Sequence, residues 1–100
     1  MYSLAEPARK SPIRKFQLGQ LKITPNALEH LSPPELQLSL TRHVLGDWGE
    51  LDADDIRANE RALSEGGRLV SRHRTDAGVI FYIITECDRS YTTVLLPEDY

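Results

Sequence analysis

The chain has 100 residues and a mass of 11.3 kDa, with 40% apolar and 27% charged residues and a net charge of -3. That length holds one domain, and the balance excludes collagen-like, disulfide-framed and wholly disordered chains. No apolar run reaches the ~18 residues that a membrane helix needs. Cys87 is the lone cysteine, so neither an intrachain disulfide nor a thiolate zinc cluster can form. It follows an apolar run and reads as a buried or half-buried thiol. The start, Met1 to Pro7, lacks the apolar stretch of a secretory signal, and a cytoplasmic location is expected.

Charge is segregated along the chain. Residues 1–28 carry Arg9, Lys10, Arg14, Lys15 and Lys22 against Glu6, whereas residues 29–66 carry nine acids against Arg42, Arg57 and Arg61. The isoelectric point near 5.5 argues against general phosphate binding, since nucleic-acid binders usually present a basic face.

Residues 1–15, with Pro7, Pro12 and four basic side chains, read as a flexible basic arm, and residues 16–100 as a single α+β domain. Phe16 to Ile23 alternates around Gly19-Gln20, the pattern of a strand with a bulge. Thr24-Pro25 opens a short helix with Ala27, Leu28 and Leu31 on its apolar side. Ser32 and Glu35 have capping-box spacing, and Leu36, Leu40 and Val44 continue the helix until Gly46. Asp52 caps a third helix that carries Asp54 and Asp55 in its first turn and ends at Gly66-Gly67.

The period then shifts from 3.6 to 2. Leu69, Ser71 and His73 fall on one face of a strand and Val70, Arg72 and Arg74 on the other. Thr75 to Gly78 forms a tight turn, and Val79 to Ile84 is apolar on both faces, as a central strand is. Cys87 to Ser90 turns again, and Tyr91 to Leu96 is the last strand before Pro97. The fold expected is α+β: an N-terminal strand, two to three helices, then a three-stranded antiparallel meander packed against them.

Two side-chain groups are candidates for function. The acidic stretch holds Asp47, Trp48, Glu50, Asp54 and Asp55. Its spacing does not match a calcium loop, because Trp48 and Leu51 stand where ligands should be. Trp48 is either a buried anchor between helices and sheet or an exposed contact residue. The basic group holds Arg72, His73, Arg74, Arg89 and Tyr91, with Arg68 nearby. It would grip a phosphate or carboxylate, or else pair with the acidic helix. No Walker loop, dinucleotide fingerprint or HExxH motif is present. No catalytic residue, metal site or cofactor is assigned.

A wider pattern emerges from Phe16-Gln17-Leu18-Gly19-Gln20, Thr24-Pro25, Arg42-His43-Val44, Gly46-Asp47-Trp48-Gly49, Asn59 to Leu63, and the ending Ile84 to Glu98. Over residues 16–100 the chain resembles a family of small bacterial proteins carried on plasmids and integrated mobile elements, called plasmid-related proteins. Some of these are labelled type I restriction enzyme modification subunits. The chain departs from that label, having neither an adenosylmethionine loop nor an Asn/Asp-Pro-Pro-aromatic motif. It also has Phe81-Tyr82-Ile83 where many relatives carry tryptophan, and Cys87 in place of alanine. The resemblance implies a setting on mobile DNA and transfers no catalytic residue.

A looser likeness of element order is to the RelE and ParE toxins, of which the RelE type cleaves messenger RNA through a basic surface. Only Arg72, His73, Arg74, Arg89 and Tyr91 would serve such a role here. The expected function is therefore a small non-catalytic mobile-element accessory protein that binds another macromolecule, such as a host defence or restriction component. The alternatives are a RelE/ParE-like ribonuclease or its degenerate relative, and a homo-oligomeric subunit joined at a sheet edge. The expected partner is a protein, a second copy included. Nucleic-acid contact is confined to the basic arm and its continuation, residues 9–22, and no membrane partner is expected.

Overall fold

The computed structural model describes residues 13–100. Most of the expected basic arm, including Arg9 and Lys10, lies outside the described residues. Its last residue, Lys15, donates its N–H to Val44 O at 2.8 Å.

Four strands and three helices follow in the order β1 (Gln20–Ile23), α1 (Pro25–His30), α2 (Pro33–Val44), α3 (Ala53–Glu65), β2 (Leu69–Arg74), β3 (Ile80–Thr85) and β4 (Tyr91–Leu95), with a 3-10 turn over Pro97–Asp99. The caps anticipated from sequence start each helix. Thr24 Oγ1 accepts from Ala27 N, Ser32 and Glu35 close a capping box, and Asp52 accepts from Asp55 N. Gly66 ends α3 in the left-handed conformation.

The fold is α+β, with two corrections of detail. The sheet has four strands in the order β1-β4-β3-β2. The antiparallel meander β2-β3-β4 is present, but β1 adds to it beside β4 in parallel. The helices carry the chain across the sheet from β1 to β2, which runs in the same direction, and the two antiparallel reversals that follow bring β4 back parallel to β1. The first strand is also shorter than the alternation suggests. Gly19 sits at φ +66°, and a Cβ there would collide with the carbonyls of Arg89 and Ser90. Phe16 to Gly19 therefore runs irregularly around the β3–β4 turn, and pairing begins only at Gln20.

The register puts Leu69, Ser71, His73, Phe81, Ile83, Thr85, Thr92, Val94, Leu21 and Ile23 on one face of the sheet. Phe81, Ile83, Val94 and Leu96 pack there with Ala27 and Leu31, flanked by Ile23, Leu36 and Leu40. A second cluster of Trp48, Ala62 and Leu69, with Phe16, Leu51 and Leu63, fills the space between β2 and α3. The opposite face, with Val70, Arg72, Tyr82 and Thr93 only half buried, is met among the described residues by the C-terminal turn and by Tyr100 on Tyr82. Cys87 is exposed rather than buried, because it lies in the β3–β4 turn beyond the last core position, Thr85.

Candidate functional site

The segment between α2 and α3 forms a strap along the outer edge of β2. Arg42 grips Asp47 with two donors at 2.8 and 3.2 Å, and Asp47 accepts from Gly49 N at 3.1 Å. The Arg42 hydrogen bonds hold the Asp47 carboxyl below its ordinary value. Trp48 O then accepts from Arg72 N at 3.0 Å, and Glu50 N donates to Arg72 O at 2.7 Å. Gly49 adopts φ +73° there, and a Cβ would strike Arg72 O and crowd the His73 ring. The backbone approaches β2 this closely only with glycine at that position.

Trp48 is the buried anchor of the two readings, 3% exposed, which removes it from the contact surface. Its ring stacks on Phe16 at 6.0 Å and meets His43 edge-on at 5.5 Å, while its indole N–H donates to Glu60 at 2.9 Å. Burial of the indole with its one donor satisfied is the stable arrangement for tryptophan.

The basic group is divided. Arg72 and Arg74 converge on Glu50, with Arg74 donating at 3.1 to 3.3 Å and Arg72 at 3.5 Å. The Arg74 hydrogen bonds are the main reason that the Glu50 carboxyl titrates below its ordinary value. These arginines thus pair with the strap rather than with α3. Arg89 lies at the other end of the sheet and donates to the carbonyls of Gly67, Glu86 and Ala62 at 2.5, 3.1 and 3.0 Å. It closes the C-terminal end of α3 and is no part of an anion grip with Arg72 and Arg74. Tyr91 lies under the Lys22 ammonium, 4.0 Å from its ring centre. His73 is 2% exposed on the inner face, turned away from Arg72 and Arg74.

A groove of about 490 Å³ opens where the strap, α3 and the open sheet face meet. Glu50, Asp52 and Asp55 line it from the strap and the start of α3, Arg68 and Arg72 from β2 and the residue before it, and Tyr82 and Tyr100 from β3 and the chain end. The tyrosine rings contact edge-to-face at 5.9 Å. Arg68 is engaged by Glu86 at 3.3 Å, as Arg72 is by Glu50. The groove thus joins two acids of the predicted acidic group, Glu50 and Asp55, with one residue of the basic group, Arg72. Asp54 faces solvent instead and pairs with Arg57.

Beneath the site runs a buried polar chain. The ring of His43, 0% exposed, is hydrogen-bonded through Nδ1 to Ser71 Oγ and through Nε2 to Thr85 Oγ1 at 2.9 Å. Thr85 joins Thr92 at 2.7 Å, and Thr92 donates to Leu18 O at 2.7 Å. Burial, with a smaller contribution from His73, pushes His43 down to about 3. Burial also pushes His73 down to about 4, aided by Arg42 and opposed by Asp47 and Glu50. Ser71 beside His43 has the outline of a nucleophile and base, yet both are fully buried and the third partner is a hydroxyl rather than a carboxylate. The chain ties α2 to the sheet. Among the described residues no group of three His, Cys, Asp or Glu side chains is placed to hold a metal ion.

Two groups escaped the sequence reading. Asn59 donates to Val70 O at 2.7 Å and accepts from Val70 N at 3.1 Å, so one side-chain amide closes the strand edge. Its signal was an asparagine at a core-facing helical position. Tyr82 and Tyr100 carried no signal, since their meeting depends on where the chain end folds back.

No protein-family model matches the chain, no curated protein matches it, and no solved structure matches it.

Proposed function

We propose that this chain is a non-catalytic binding module, an accessory protein of bacterial mobile DNA, and that its partner is a protein presenting a basic segment of the kind that lines a nucleic-acid-binding groove. The groove on the open sheet face carries the reading. Its two arginines are already matched by Glu50 and Glu86, whereas Asp55 has no cation among the described residues. A lysine or arginine entering there meets the Asp55 carboxylate and the rings of Tyr82 and Tyr100, which line the same groove. Both are favourable contacts for a partly desolvated cation. The excess of acids over residues 29–66 steers a basic partner toward the same side.

The test is calorimetric titration with a lysine- and arginine-rich peptide, and with an acidic peptide of equal length. Saturable binding of the basic peptide is expected, weakening as salt is added. Asp55→Lys combined with Tyr100→Ala should abolish it, and both positions are exposed enough to leave the fold intact. Equal binding by the variant, or no saturable binding by the wild type, overturns the reading.

A further inference from the structure

The two edges of the sheet are treated differently. At β2, Asn59 covers Val70, and the strap covers Arg72. At β1, Gln20 N and Thr24 N point inward to Ser90 O and Val94 O, so by alternation the N–H and C=O groups of Leu21 and Ile23 point outward. Among the described residues nothing bonds to them. Lys22, the only charged side chain on the strand, folds back over Tyr91 and does not guard the edge.

We infer that β1 is a self-pairing edge, and that its occupant is β1 of a second copy, antiparallel across a two-fold axis at Leu21. The register follows from the residues. Centred on Leu21, both copies exchange N–H···O bonds at the axis, and Gln20 of each faces Lys22 of the other, so no like charges are opposed. Centring on Lys22 would oppose two lysines, and centring on Ile23 would put Pro25, which has no N–H, opposite Leu21. The side chains agree with this choice. Leu21 is 42% exposed and projects on the helical face, where Leu18, Leu36 and Leu40 line an open apolar groove of about 310 Å³. Leu21 of the second copy meets it on that same face across the axis. The product is a continuous eight-stranded sheet with both open faces on one side. The edge is short, so a weak, concentration-dependent dimer is expected.

The inference does not depend on the proposed ligand and is tested without it. Light scattering of the full chain should show the mass rising from 11.3 kDa toward twice that value with concentration. Leu21→Lys should remain monomeric, and mixing it with Leu21→Glu should restore the doubled mass. In the wild type, amide exchange at Leu21 should slow as concentration rises, a readout that stands even if a variant fails to fold. A wild type that stays monomeric at high concentration overturns the inference. So does a dimer that persists in folded Leu21→Lys, or one that protects amides elsewhere but not Leu21.

Discussion

His43 and His73 are the residues most sensitive to their surroundings. Both rings are neutral in the folded protein, with pKa values near 3 and 4, whereas an unfolded histidine titrates near 6.5. A group depressed by folding contributes fully above its unfolded value, and that contribution falls as the pH drops toward the folded one. Each histidine therefore removes up to about 1.4 kcal/mol per pH unit below 6.5. Asp47 and Glu50 act only at lower pH, because their unfolded values lie near 4. Urea midpoints should thus fall steeply between about pH 6.5 and 5 from the histidines alone, and His43→Gln should flatten the slope. A flat profile there would contradict neutral buried rings.

Trp48 belongs to the same scale. Trp48→Ala should cost about 3–5 kcal/mol and leave little folded protein, while Trp48→Phe should fold with a lower denaturation midpoint, having lost the bond to Glu60. An alanine variant as stable as wild type would contradict the anchor role. Sequence left Trp48 open between core and contact residue, because its burial depends on Phe16 and His43, each more than four residues distant.

At the scale of elements, local chemistry was legible and long-range geometry was not. Thr24, Ser32, Asp52 and Gly66 mark helix ends because caps act within a few residues of themselves. The alternation of Leu69, Ser71 and His73 against Val70, Arg72 and Arg74 likewise separated the two faces of β2, of which the first is buried. The parallel pairing of β1 with β4 joins residues about 70 positions apart and has no local signature. Arg89 illustrates the same limit: a turn arginine read as part of an anion grip closes the end of α3 instead. It also holds φ +62°, where a side chain is strained. Arg89→Gly loses the hydrogen bonds but relieves the backbone, and Arg89→Ala loses them without relief. The glycine variant should be the more stable of the two by about 1 kcal/mol, read from denaturant midpoints. The reverse order would mean that the turn relaxes without strain.

At the scale of the molecule, the helices cover one face of the sheet and leave the other to a chain end, Tyr100, and a groove. Half of the candidate site was readable: Glu50, Asp55 and Arg72 stand out as charges near a helix start and on a strand face. The rest, Tyr82 of β3 and Tyr100 upon it, depends on the C-terminal turn, which is held by Asp99 against Thr24 at 2.8 Å. The acids of the strap and α3 thus come to line one groove with the two tyrosines, and the binding reading rests on that arrangement. The most direct test is a nitrogen-resolved NMR titration of the full chain with the basic peptide. The account predicts saturable shifts confined to the residues around Asp55, Arg72, Tyr82 and Tyr100, lost when salt is raised. Shifts elsewhere on the surface, or none at saturating peptide, would contradict it.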